Sequence, residues 1–408
     1  MAKKEQPVCG LDIGTSKICV MIARLLPDGR MEVVNTGYAP SEGLRKGVVL
    51  DLDAVASSIR KAAAEAELKS SISIDWVTVG ISGEHIQSYN CHGAVEVDGK
   101  RHEVNEEHMQ QVIKAAQSIP LPSHREIIHI LPQEFVLDSR GTIRNPIGLT
   151  GSRLDANVHI VTCESALMQD LISAVNKAQM RVKRVVLQQL ASAEAVLTPD
   201  ERDLGSAVID IGAGTTDIVM FVRNAVCFTA VIPVGGGHFT RDLAVGLRTP
   251  MEDAEVIKKQ HGSVHVEAVA EDETVEVKPI GSGGPKVVPR KLVCELLRDR
   301  AVELLELVRS HLAQSGNFGQ MMTGAVLTGG GSLLGGIVEL AEEILGIPVR
   351  QGLPGGMEVL TSELAHPVYS AAVGLALLGV QQGMDRNGYG KPGPPSRLSN
   401  RFLSWFGN

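Results

Sequence analysis

No stretch of this chain reaches the roughly 18 consecutive apolar residues that a bilayer-spanning helix needs. The longest candidate, residues 368–380, is too short and is interrupted by Ser370 and Gly374. The start, Met1-Ala-Lys-Lys-Glu-Gln-Pro, lacks the apolar core of a secretory signal, so the expected compartment is the cytosol. Positive charge is also short. The net charge of -8 argues against a nucleic-acid partner, which calls for a basic surface. Six cysteines, at 9, 19, 91, 163, 227 and 294, form no Cys-x-x-Cys pair and no zinc spacing, and the twelve histidines form no metal motif. Free thiols and structural or surface histidines are expected. Aromatic residues are only 3% of the chain, yet three of them fall within its last seven positions.

What is present begins with a hairpin written twice. Cys9-Gly-Leu-Asp12-Ile-Gly14-Thr15-Ser16-Lys17 leads into Ile-Cys-Val-Met-Ile22, and Ala207-Val-Ile-Asp210-Ile-Gly212-Ala-Gly214-Thr215-Thr216-Asp217 leads into Ile-Val-Met-Phe221. In each, an apolar strand ends in Asp, a Gly-Thr turn follows, and a second apolar strand returns. Gly14, Gly212 and Gly214 can adopt positive φ and carry no Cβ, so backbone N–H groups can point at a close phosphate. The hydroxyls of Thr15, Ser16, Thr215 and Thr216 add donors. Asp12 and Asp210 would repel phosphate oxygens, so their expected partner is a hydrated Mg²⁺ bridging to a nucleotide. Two such hairpins face to face would clamp one polyphosphate.

A third piece is Ala325-Val-Leu-Thr328-Gly329-Gly330-Gly331-Ser332, a strand running into three glycines ahead of a helix. Its glycines would let backbone approach a nucleoside, with Ser332 as a helix cap. It is not a Rossmann fingerprint, because Leu334 stands where the third glycine would fall, and the chain has no Walker A loop. The run Gly281-Ser-Gly-Gly-Pro-Lys286 lacks that spacing and reads as a loop.

The order of these three motifs resembles the actin, heat-shock-70 and sugar-kinase superfamily. Within it the chain resembles the FtsA family of bacterial cell-division proteins, from Gly10 to the C-terminus. Three further stretches carry the likeness: Gly80-Ile-Ser-Gly-Glu84-His85-Ile86-Gln87, Gly235-Gly-Gly-His-Phe-Thr240-Arg-Asp242, and Thr249-Pro-Met-Glu-Asp-Ala-Glu255-Val-Ile-Lys258. The resemblance implies an α/β, two-lobed actin-like ATPase fold with a small α+β domain inserted in place of the usual actin subdomain, and ATP and Mg²⁺ as cofactors. It places Lys17 on phosphate, adds Gly236 and Gly237 to the nucleotide site, and brings Glu255 and Lys258 to ribose or adenine. It also sets Gln189 where related ATPases orient the attacking water, completing a catalytic set with Asp12 and Asp210. A neutral Gln is a poor general base, so at most slow ATP turnover is expected. A pilus-assembly ATPase similar to PilM and a small-molecule kinase of the same superfamily are the rival readings.

The expected division of the chain is residues 1–81 as the large subdomain of the first lobe, 82–162 as the inserted domain, and 163–197 as the rest of that lobe. Residues 198–223 and 306–360 then form the core of the second lobe, 224–305 its small subdomain, and 361–380 a closing helix of the first lobe. Residues 264–270 and 273–279 read as β-prone. Small residues dominate Gln188–Leu197 and Tyr369–Leu377, which fits either helices sliding at a hinge or two tightly packed buried helices. A helix from Arg290 through His311 carries basic residues that a solvated face would explain; the resemblance offers Arg300 instead as a contact for the C-terminal peptide of the tubulin-like protein FtsZ.

Residues 381–396 are rich in Gly and Pro and read as a flexible linker. In the final segment, 397–408, Leu398, Phe402, Trp405 and Phe406 follow helical i, i+4, i+7, i+8 spacing, with Leu403 beside them and Arg397 and Arg401 flanking. The stripe could dock on its own core. The long tether and the lack of acidic residues from Arg386 onward favour a lipid surface, with the arginines reaching headgroup phosphates. Together with the resemblance, this implies a protein peripheral on the inner face of the cell membrane at the division site. There it would form a dimer or filament with itself, anchor FtsZ and recruit later division proteins.

Overall fold

The duplicated pattern becomes two sheets of identical design. The computed structural model describes residues 7–99, 101–281, 284–358 and 361–385. Strands β1 (Val8–Ile13), β2 (Lys17–Leu25) and β3 (Met31–Pro40) form an antiparallel meander. A two-residue ladder, β4 (Leu44–Arg45) with β5 (Val48–Val49), leads into helix α1 (Leu52–Ser70). Asp51 caps α1 by accepting from the N–H groups of Asp53 and Ala54, each at 3.0 Å. Strand β6 (Trp76–Ile81) then pairs parallel with β1.

The chain next leaves this lobe for a four-stranded sheet. It contains β7 (Gln87–Glu96), helix α2 (Glu106–Ala116), β8 (Arg125–Leu137), β9 (Thr142–Ile143) and β10 (Arg153–Glu164), in the order β7-β10-β8-β9. Its core, with Val112, Phe135, Leu154 and Ile160, lies between the sheet and α2. Helix α3 (Ser165–Lys177) and β11 (Arg181–Leu187) return to complete the first sheet as β11-β6-β1-β2-β3.

Helices α4 (Gln188–Val196) and α5 (Pro199–Leu204) lead to the second lobe. Its meander is β12 (Ser206–Ile211), β13 (Thr216–Val222) and β14 (Ala225–Ile232). Helices α6 (Gly236–Leu247) and α7 (Met251–His261), the hairpin β15 (Thr274–Val277) with β16 (Lys286–Pro289), and helix α8 (Arg290–Gln314) follow. Strand β17 (Ala325–Thr328), helix α9 (Ile337–Leu345) and β18 (Val349–Gln351) finish the sheet as β14-β13-β12-β17-β18. Helix α10 (Ser370–Asp385) crosses back to the first lobe.

The central strands are buried on both faces because helices cover both sides of each sheet. One apolar cluster joins the lobes: Cys19 and Met21 of β2, Val208 of β12 and Val219 of β13 share it with Leu190 of α4 and Val373 of α10. Each fully buried aliphatic side chain there stabilises by about 1.5–3 kcal/mol. All six cysteines are free, and burial pushes the Cys9 and Cys19 thiols up to about 12, leaving them inert. No described helix is long and apolar enough to cross a membrane.

Three expectations are corrected. Residues 264–270 form no strand but a 3₁₀ turn at Val266–Ala268. Val264 donates its N–H to Gly335 and is buried, so the segment meets the glycine-rich loop and no free sheet edge. The expected helix from Arg290 through His311 forms as α8, so the subdomain boundary expected at residue 305 falls inside an unbroken helix, and α10 extends through residues 381–385, assigned above to the linker. Residues 386–408, with the remaining linker and the amphipathic segment, lie outside the described residues, as do residues 282 and 283 of the loop joining β15 to β16.

Candidate functional site

Both hairpins close their turns in the same way. Gly14 donates to the carbonyl of Lys17 at 3.0 Å, and Gly212 to that of Thr215 at 2.9 Å. The turns meet tip to tip: a Cβ on Gly214 would stand 2.5 Å from Oγ1 of Thr15. None of Gly14, Gly212 and Gly214 takes the left-handed conformation expected of them. Glycine is required at 214 by close approach rather than by φ.

A cleft opens below this contact, lined by Gly14, Thr15, Ser82, Gln188, Asp210, Gly212, Gly214, Thr215 and Asp217, among others. Three carboxylates are buried around it: Asp12, Asp210 and Asp217. Asp12 accepts from Nε2 of Gln188 at 3.1 Å, and Asp210 from the hydroxyl of Ser192 at 2.5 Å. Asp217 accepts from the hydroxyls of Thr215, at 3.0 Å, and Ser82. Burial pushes Asp12 up to about 7, with Asp210 adding to the shift and Lys17 opposing it. It likewise pushes Asp217 up to about 7 against the hydrogen bond from Ser82, and it raises Asp210. A cation in this cleft would relieve all three.

Among the described residues no three His, Cys, Asp or Glu side chains converge as a protein cage for a metal. The donors instead suit Mg²⁺, which keeps its waters and takes one or two carboxylates alongside phosphate oxygens. Lys17 lies at the same end, its Nζ 3.9 Å from the ring centroid of Tyr369.

The second lobe supplies the other wall. Pairing of β12 with β17 sets Asp210 opposite Thr328, so the loop after β17 packs on the end of β12. A Cβ on Gly329 would collide with the Asp210 carboxylate, and one on Gly331 with Ile211, whereas one on Gly330 would make only an ordinary contact with Val368 at 3.6 Å. Lys258 donates to the carbonyl of Gly236 at 3.0 Å and to Thr240 Oγ1 at 2.8 Å, and pairs with Glu255 at 2.6 Å.

Several expected site residues hold other positions. Gln188, first in α4, faces Asp12. Gln189 is turned roughly 100° around the helix, is fully buried, and points Nε2 at the carbonyl of Ala230 at 3.4 Å. Gly236 and Gly237 spend their N–H groups on the carbonyls of Gly212 and Ala213, each at 2.8 Å, and so buttress the turn instead of facing an anion. Thr216 donates to the carbonyl of Val234 from a fully buried position. Ser332 caps no helix; its hydroxyl donates to Gly329 at 2.8 Å, and Gly336 precedes α9. Arg300 is held by Asp242 and Glu303, each at 2.5 Å.

Asp217, Ser82, Ser192 and Gln188 were not anticipated. Asp217 had a signal in the sequence: it pairs with Asp210 where the first hairpin pairs Cys19 with Asp12.

The family model described as cell division protein FtsA matches residues 207–374, and the model of the SHS2 domain inserted in FtsA matches residues 83–162. The chain is 39% identical to the cell division protein FtsA of Pseudomonas aeruginosa over 405 residues, covering 98% of this chain and 97% of that one. It is 36% identical to the FtsA of Escherichia coli K12 over 405 residues, covering 98% and 95%. Among solved structures it resembles a PilM–PilN type IV pilus biogenesis complex, with a TM-score of 0.65 at 20% identity, over 91% of this chain and 98% of that one. It also resembles MreB5 of Spiroplasma citri bound to ADP, with a TM-score of 0.56 at 15% identity, over 93% and 99%. These structural likenesses establish an actin-like fold.

Proposed function

Because the chain belongs to the FtsA family of actin-like cell-division proteins, we propose that it binds ATP with Mg²⁺ between its two hairpins, self-associates in that state and works at the inner face of the cell membrane. There it anchors FtsZ and recruits later division proteins. The observation that carries this reading is the meeting of Thr15 and Gly214. A polyphosphate gripped by turns from both lobes makes ligand binding and lobe spacing one event.

In this reading the backbone N–H groups and hydroxyls around Thr15, Ser16, Gly214 and Thr215 cradle the phosphates, while Lys17 turns from Tyr369 to add charge. Asp12 and Asp210 would hold a hydrated Mg²⁺, whose charge would neutralise the phosphates. Gly330, Glu255 and Lys258 face the nucleoside. Gln188 is the amide within reach of an attacking water, and a neutral amide makes any hydrolysis slow. FtsZ is read at Arg300, whose exposed partner Glu303 must give way.

The tail Arg397, Leu398, Arg401, Phe402, Leu403, Trp405 and Phe406 meets lipid. Each apolar side chain gains part of the roughly 1.5–3 kcal/mol of full burial, against about 1–2 kcal/mol per residue for ordering the helix. One tail therefore binds weakly, and a filament of tails binds firmly. Identity to FtsA proteins across nearly the full length supports division over the pilus reading, which rests on fold likeness alone.

Two measurements test the proposal. An Asp210→Ala chain titrated with a fluorescent ATP analogue and Mg²⁺ is expected to lose binding; normal binding removes the metal assignment. Removing residues 402–408 is expected to release the protein from anionic lipid vesicles on sedimentation; unchanged pelleting sinks the membrane role.

A further inference from the structure

Strand β14 is an edge of the second sheet, so its outer carbonyls need donors from elsewhere. The inserted domain supplies them. Ser88 donates to the carbonyl of Thr229 at 3.1 Å, Asn90 to that of Cys227 at 3.1 Å, and Gln133 to that of Val226 at 3.0 Å. These side chains lie on the sheet face opposite α2, which docks against the second lobe and also sends Leu131 and Val161 into the apolar cluster that joins the lobes.

His159 closes the network. Its Nδ1 lies 2.6 Å from Oδ1 of Asn90 and its Nε2 lies 3.0 Å from Oγ1 of Thr229. Asn90 Oδ1 can only accept, so Nδ1 carries the proton and Nε2 accepts from the Thr229 hydroxyl. Gln133 also donates to Asn90 Oδ1, at 3.1 Å. Ser88, Asn90, Gln133 and His159 then each have a partner, with a neutral imidazole. The row continues to Arg144, paired with Asp203 of α5. At its other end Ser82, the residue before the inserted domain, donates to Asp217 in the cleft.

The inserted domain is joined to the first lobe covalently and through Leu187, whose N–H donates to Nε2 of His129 at 2.9 Å, and it is also hydrogen-bonded to the second lobe through the row on β14. We propose that it is an interlobe strap: Ser88, Asn90, Gln133 and His159 fasten it to β14, so the lobes cannot part to release a ligand without moving the surface that this domain presents. The proposal rests on the reading of the cleft as an ATP site. A polyphosphate gripped by both turns leaves only when the lobes separate, and separation along β14 breaks this row. The strap therefore slows exchange, and whatever holds the inserted domain on its outer surface slows it further.

The test is stopped-flow release of a fluorescent ATP analogue from the full-length Ser88→Ala/Asn90→Ala/Gln133→Ala chain. The expected result is release faster by at least about fivefold, the lower end of measured couplings between sites. An Arg153→Ala control changes an exposed residue paired with Asp155 outside this row, and it should release at the wild-type rate. A folded triple variant releasing within twofold of wild type overturns the strap. Should the triple variant fail to fold, Gln133→Ala alone, which removes one half-buried donor, must still release at least about twofold faster, and an unchanged rate overturns the proposal. A wild-type chain that binds no analogue sinks the ATP reading itself, an outcome distinct from binding with unchanged release.

Discussion

Gly374 of α10 lies against Ala191 of α4 with no room for a side chain: a Cβ on the glycine would overlap the alanine carbonyl. The two helices run between the sheets of both lobes and join one apolar cluster spanning them. Their small residues bring the backbones into contact where the two lobes meet.

Gly374→Ala should therefore force α4 and α10 apart. Overpacking of this kind costs about 1–3 kcal/mol, and here the obstacle is backbone rather than a movable side chain. A lower melting temperature by calorimetry is the expected outcome. An unchanged melt would mean that the helices slide freely at this crossing.

The hairpin contact gives a second test. Gly214→Ala places a methyl 2.5 Å from Oγ1 of Thr15 and 3.1 Å from its Cβ, prying the turns apart and weakening nucleotide affinity. Thr15→Ala in the same chain removes the nearer atom and should restore part of the loss. A double-mutant cycle on analogue binding should then return a coupling of about 0.5–3 kcal/mol. Strict additivity would place the two turns out of contact in the bound state.

The hairpins could be read from sequence because strand, turn and strand are contiguous and the motif repeats. The fold followed, since each meander needs helices on both faces to bury strands such as Ile18–Ile22. What escaped reading depended on register or on distant chain. Gln188 and Gln189 differ by one position, and which faces the cleft is set by where β11 ends and α4 begins. Ser82 meets Asp217 across 135 residues of chain. The strap on β14 joins side chains that look like the solvated face of an ordinary alternating strand. Gly236 and Gly237 sit in a phosphate-like run, yet their N–H groups are claimed by the neighbouring turn.

The buried His159 makes stability depend on pH. Burial lowers its pKa from the ordinary 6.5 to about 4. Above 6.5 the imidazole is neutral in both states and its contribution is fully present. As pH falls, the unfolded chain takes up a proton that the folded chain refuses until about 4, so stability is lost across that window, by about 2 kcal/mol at pH 5. Asp12 and Asp217, raised to about 7, act in the opposite direction, so the wild type alone gives a mixed answer. Comparing it with His159→Gln cancels them. The stability difference between the two proteins in denaturant titrations should narrow between pH 7 and pH 5, and a constant difference would mean that His159 accepts its proton without unfolding.

Neighbouring glutamines separate chemistry from packing. Gln188 donates to Asp12 and lines the cleft, so Gln188→Ala should lower the rate of phosphate release from bound ATP by at least about tenfold while leaving analogue binding nearly intact. Gln189 is fully buried, makes one long bond to Ala230, and its Oε1 has no partner. An unsatisfied buried carbonyl costs about 1–3 kcal/mol, and Leu is close to Gln in volume. Gln189→Leu should therefore keep turnover and raise thermal stability. Loss of turnover in Gln189→Leu with normal rates in Gln188→Ala would return the water-positioning role to Gln189, and would require α4 to rotate by one residue when the cleft is filled.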